Sequence, residues 1–272
     1  MTMFAGRYGG IPLVVKNLLI INIIMLLADF VMSSTFDVQL TRVLGLYYFE
    51  SELFRPYQII THMFMHGGLA HLFFNMFALW MFGRVLESVW GSRRFLVYYF
   101  VTGLGAAALH TFVNYLEISS MVNDAKAFIN TPSPELFQAY ISEHITRPNR
   151  QVYDFITSWS YDPDNQSYIS QAVTMVENSL RHRMNIPTVG ASGAVFGVLL
   201  AFGMLFPNTR LMLLFPPIPI KAKYFVIAYG CIELYLGLTR PGSNIAHFAH
   251  LGGMIFGFLL IKFWQRNTRN FY

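Results

Sequence analysis

Apolar residues in this chain gather into runs too long for ordinary core helices. Six stretches stand out, at about 13–32, 69–87, 95–115, 190–206, 224–239 and 245–264. Crossing the hydrocarbon layer takes about 20 mostly apolar helical residues. The pattern therefore predicts an all-α fold, a polytopic membrane bundle of six transmembrane helices. The fourth and fifth stretches fall short, which predicts tilting or shielding by neighbours. No signal-peptide cleavage pattern follows Met1, so the first span is expected to be retained.

Residues 116–187 break the pattern, with eight acidic against five basic residues and a net charge of −3. Ser133-Pro134-Glu135 reads as an N-cap with proline at the first helical position, predicting a helix to about 145. Ile169, Val173, Val176 and Leu180 share one helical face and predict a second helix near 167–183. PNR (148–150) and DPDN (162–165) read as turns. The segment is expected to be an extramembrane, outward-facing helical insertion with too few apolar residues for a core of its own, inside a single membrane domain over 1–272. The aromatic-rich stretch 40–58 fits a partly embedded loop at the membrane–water interface.

Composition agrees: 54% of residues are hydrophobic and 12% charged, against about 25% charged in soluble domains. The net charge of +5 does not argue for nucleic acid, because the basic residues follow topology. Arg84, Arg93 and Arg94, then Arg210, Lys221 and Lys223, and at the ends Arg7, Lys16, Lys262, Arg266 and Arg269 all fall on one side of a six-span layout. The positive-inside rule makes that side, and both termini, cytoplasmic. Cys231 is the single cysteine, so no intrachain disulfide forms.

The candidate chemistry centres on TVGASGAVFG (188–197). Ser192 there is either a helix-packing residue or a nucleophile, which needs a base within about 2.6–3.2 Å. His250 in the last span is either a packing residue or such a base, since an imidazole in a span faces a cavity or a partner. Gly193 and Gly197 form one small-residue stripe, and Gly253 and Gly257 another on the face of His250, so the two helices are expected to approach closely. His71 and Asn75 are stacked on one face of the second span. They fit either interhelical hydrogen bonding or, with the backbone N–H groups of Ala191 and Ser192, an oxyanion pocket.

GASG (190–193), HMFMHGGLAHLFFN (62–75), ESVWG (87–91) and AHLGGMIFG (249–257) together resemble the rhomboid family of intramembrane serine proteases. GxSG alone is shared with soluble hydrolases; the set is specific and covers everything except 116–187. The resemblance implies Ser192 as nucleophile, His250 as general base, and His71 and Asn75 lining the oxyanion hole. It implies Phe196 packing on the imidazole and no cofactor. By position alone, Gly190 flanks the serine, and His247, one turn before His250 and able to share its face, reads as a supporting residue. It also implies a Ser–His dyad without an acidic third member, in keeping with the lack of a carboxylate within one turn of His250. Transmembrane proteins are the implied substrates and a bacterial inner membrane the implied location, with no oligomeric state specified. Two rival readings are a non-proteolytic relative that only binds membrane clients, and a metal site at His62 and His66. The latter lacks the glutamate of H-E-x-x-H, since Met63 fills that slot. Glu87 reads as a structural tie, and Glu233 as either a functional group or a lipid-edge carboxyl near a lateral gate.

Overall fold

The computed structural model describes residues 10–212, 217–239 and 246–267. Twelve helices carry the described fold: α1 (Leu13–Phe36), α2 (Leu40–Leu44), α3 (Gln58–Thr61), α4 (Leu69–Ala78), α5 (Arg84–Trp90), α6 (Ser92–Asn130), α7 (Pro134–His144), α8 (Arg150–Ser160), α9 (Gln166–Met184), α10 (Ser192–Leu205), α11 (Ala222–Thr239) and α12 (His247–Asn267). A π-helical turn, Leu79–Gly83, joins α4 to α5 without a break. One small hairpin, β1 (Arg210–Met212) against β2 (Pro219–Lys221), connects α10 to α11.

Among the described residues, four helical stretches are long and apolar enough to cross a membrane: Leu13–Phe36, Leu69–Trp90, Ser92–Asn130 and His247–Arg266. The expected count of six is not reached by length and composition, because α10 has 14 residues and α11 only 18 of mixed polarity. Both nevertheless pack into the bundle. α10 is the central helix, packed on both α6 and α12, which also pack on each other, with Ala194, Val198 and Ala201 sealed from solvent. The shielding expected of both short spans is seen at α10 alone; α11 keeps most of its face exposed, with Ile227 at 61% and Leu238 at 68%.

One end of the bundle is tied by Glu87. Its carboxylate accepts from the backbone N–H groups of Val14 (2.9 Å) and Val15 (2.8 Å) and from the Ser92 hydroxyl (2.6 Å). It thereby satisfies orphan donors at the start of α1 and pins the α5–α6 turn. Arg94 lies over the Trp264 ring nearby, so the start of α6 meets the end of α12. Lys16, Arg84, Arg93, Lys262 and Arg266 fall on helix ends gathered here, while Arg7 and Arg269 lie outside the described residues.

The 116–187 segment departs from expectation in two ways. The third span does not stop near 115; α6 continues to Asn130, 39 residues in all. The segment also has its own hydrophobic core. Met121, Ala125 and Phe128 of α6 pack with Phe137, Tyr140, Ile156, Trp159, Ala172 and Val176 from α7, α8 and α9. α8 forms where the flanking turns were recognised but the helix was not; Val152, Phe155, Ile156 and Trp159 supply its apolar face. α7 and α9 form close to their predicted bounds.

Candidate active site

Ser192 opens α10 because the chain turns sharply before it. Gly190 has φ +129°, a conformation side chains rarely adopt, and its N–H donates to the His62 carbonyl at 2.9 Å. A methyl group there would also meet the His71 ring, at 2.9 Å from Cε1 and 3.0 Å from Nε2. The glycine thus lets an imidazole lie against the backbone just ahead of the serine. Ala191 is fully buried, and the N–H groups of the first turn of α10 have no acceptor within the helix.

The Ser192 hydroxyl lies 2.9 Å from His250 Nε2. Close helix approach makes this possible, since a methyl on Gly253 would collide with the Gly193 carbonyl. The two glycine stripes face each other only at this pair. Further along, α6 intervenes: Gly197 meets Thr102, Gly257 meets Tyr98, and the Tyr98 hydroxyl donates to the Gly197 carbonyl at 2.8 Å. The His250 ring stacks on Phe196 with centroids 4.1 Å apart and planes 4° from parallel. One face of the imidazole is thereby fixed.

His71 and Asn75 reach the same spot from α4. The Gly67 N–H donates to His71 Nδ1 at 3.3 Å, so the neutral ring carries its proton on Nε2, the nitrogen facing Gly190. Asn75 is 6% exposed, and its amide nitrogen has no hydrogen-bond partner among the described residues. A buried donor without an acceptor costs about 1–3 kcal/mol, the mark of a group held ready for something else. Both side chains line a cavity of about 740 Å³ that also contains Ser192 and His250.

Neither of the two histidines just before α4 lines that cavity. His62 Nδ1 bonds the Gln58 carbonyl at 2.8 Å. His66 packs edge-on to His71, and burial, with His71 beside it, lowers its imidazole to about 4. Neither belongs to the cluster of metal-type ligands found among the described residues, which is Glu233, His247 and His250.

The family model described as Rhomboid domain matches residues 53–120 and 155–266, about two thirds of the sequence. The chain belongs to the rhomboid family. With its long apolar helices, it is an integral membrane protein. An uncharacterised rhomboid protein of Schizosaccharomyces pombe, named as mitochondrial, is 28% identical over 237 residues, covering 80% of this chain and 55% of the relative. Rhomboid protease GluP of Bacillus subtilis is 40% identical over 60 residues, 22% of this chain and 12% of its own. Rhomboid protein 1, mitochondrial, of Saccharomyces cerevisiae is 40% identical over 73 residues, 27% and 21% respectively. This chain therefore spans about half or less of each relative's length. Two of the three are named mitochondrial, so a bacterial inner membrane is not supported. That expectation leaned on the start of the chain, and the relatives extend well beyond the matched stretches.

This rhomboid also brings in residues that the motifs did not flag. Glu233 of α11 is no lipid-edge carboxyl; it is 7% exposed and faces the cavity. His110 of α6 bonds the Thr188 hydroxyl at 2.9 Å and Asn114 at 3.2 Å, while Arg183 of α9 pairs with Glu117. These six side chains line the same cavity, so the end of the insertion forms part of its wall. The available signal was polar residues late in the third span, where an imidazole needs a partner.

Proposed function

We propose that this chain is a serine endopeptidase that hydrolyses peptide bonds in or near the transmembrane helices of other membrane proteins. The observation that carries the reading is the 2.9 Å contact between Ser192 Oγ and His250 Nε2, set in a cavity beside an unpartnered Asn75 amide.

Ser192 attacks the scissile carbonyl while His250 takes its proton. As charge develops on the carbonyl oxygen, the Asn75 amide, the Nε2–H of His71 and the first-turn N–H groups of α10, from Ala191 onward, stabilise it. Preorganised donors at such a point are worth several kcal/mol (about 3–4 for one donor). His250 then protonates the leaving amine, and water releases the acyl-enzyme by the reverse route. Phe196 keeps the imidazole in plane throughout, and Gly253 keeps α12 close enough for the exchange.

The substrate enters between α4 and α11, where Phe74 and Tyr229 line the cavity from opposite sides. It unwinds there, since a helical segment hides its carbonyls in its own hydrogen bonds. The described bundle acts as one membrane domain, with 116–187 on the outer face between the third span and α10, and the basic end of the bundle in the cytoplasm.

Ser192→Ala is expected to lower kcat by about 10⁴-fold or more while the thermal midpoint stays at its wild-type value. Cleavage of a single-span substrate in liposomes checks this. Undiminished cleavage by the alanine variant would end the nucleophile assignment.

A further inference from the structure

Resting on that reading, the cavity contains a group that a two-residue mechanism does not use. Glu233 reaches from α11 towards α12, and its Oε2 lies 2.7 Å from His247 Nδ1 and 3.0 Å from His250 Nδ1. All three residues are buried or nearly so, with Glu233 7% and His247 5% exposed. A buried carboxylate is costly unless paired and hydrogen-bonded, and here both of its recorded partners are imidazoles.

Two chemistries fit such a cluster. The three donor atoms lie within 4.8 Å of one another, which suits a metal. Ligands of one tetrahedral zinc ion, bound at about 2.0–2.1 Å, stand about 3.3 Å apart. The 2.7 Å separation of Glu233 and His247 is shorter and is that of a hydrogen bond between them. The contact with His250 is different. Its Nδ1 is 3.0 Å from the carboxylate, yet the N–H is off the line to Oε2 and makes no aligned hydrogen bond. Its value is therefore charge against charge, and it grows when the ring becomes cationic.

We propose that Glu233 is a positioning residue for catalysis: fixed by His247, its carboxylate keeps the proton of neutral His250 on Nδ1, leaving Nε2 free for Ser192, and stabilises the imidazolium formed during attack. The proton from Ser192 Oγ moves to Nε2 as the Oγ–C bond forms and the carbonyl electron pair shifts onto oxygen. When the C–N bond breaks, that proton passes to the departing amine. Glu233 exchanges neither proton nor electron. The constellation is Ser192–His250–Glu233, with Phe196 on the ring face, Glu233 beside Nδ1 and His247 behind the carboxylate.

The test uses full-length wild type, Glu233→Gln, Glu233→Asp and Ser192→Ala in liposomes, with kcat normalised to the sites a fluorophosphonate titrates at completion. Glu233→Gln is expected to lose about 10²- to 10⁴-fold in kcat with KM unchanged, and to be labelled more slowly in the same proportion. Glu233→Asp, which keeps the charge one methylene further back, should recover at least about ten-fold over Gln yet stay about ten-fold below wild type. Wild-type kcat in Glu233→Gln, a loss confined to KM, or an Asp variant no better than Gln overturns the proposal. So does any change of wild-type kcat with a strong chelator, which would assign the cluster to a metal. Should Glu233→Gln leave no titratable sites, Glu233→Asp alone decides: a ten-fold lower kcat at unchanged KM supports the role, and wild-type kcat overturns it. Ser192→Ala separates the two readings. If it still cleaves, the protease mechanism falls; if it is inert while Glu233→Gln is unimpaired, only the role of Glu233 falls.

Discussion

The bundle and the insertion each have a core, and the two are built by opposite rules. In the bundle, many large apolar side chains point outwards, with Phe30 72% and Leu69 78% exposed, and Asn22, Asn75, Glu233 and His247 are buried beside inner residues such as Leu79 and Phe95. In the insertion, Trp159 and Phe137 are sealed inside and the charges of Arg150 and Asp154 face out. Helix ends follow the same division. Ser133, Asn149 and Asn165 cap α7, α8 and α9 with side-chain oxygens, whereas α1, α4, α6 and α10 have no such cap. The difference follows from solvent. In water, burying apolar area is worth about 25 cal/mol per Å² and a good cap about 1 kcal/mol. In lipid, apolar burial gains little, so cohesion comes from small residues at close approach and from internal polar contacts. By these marks the 116–187 segment follows the rules of helices built in water, and the bundle those of helices built in lipid.

That contrast can be broken by substitution. Trp159→Ala should have the largest effect, destabilising the insertion by about 3–5 kcal/mol. Limited proteolysis should then cut within α7–α9 while the bundle helices stay protected. Equal exposure of both regions would show a single cooperative unit. Gly253→Ala should cost about 1–3 kcal/mol through overpacking against Gly193, seen as a lower midpoint and slower fluorophosphonate labelling of Ser192, with the insertion unaffected. Asn149→Ala should be the mildest, about 1 kcal/mol, read as faster amide exchange confined to the first turn of α8.

The bundle was legible because its rules leave marks in sequence. Glycines spaced for one face predicted close approach, and rare polar residues in apolar runs predicted the cavity. The stripes were half right, because a stripe does not name its partner; Gly197 and Gly257 turned out to face Thr102 and Tyr98 of α6. The insertion core went unseen for a similar reason. Its apolar groups come in small numbers from four helices, α6 to α9, and the spacing on any one of them does not name the other three as partners. Glu233 was visible as a carboxyl in a span, but its place beside His250 is set by the packing of α11 on α12, which residue spacing along one helix does not report.

At 1.5 Å per residue, α6 is about 58 Å long, nearly twice the thickness of the hydrocarbon layer, and it contains no proline to interrupt it. Its inner half holds Tyr98 and Thr102 against the glycines of α12 and α10; its outer half is a wall of the insertion core. The two cores are thus joined by a shared helix rather than by a linker, and neither can be cut away without severing α6.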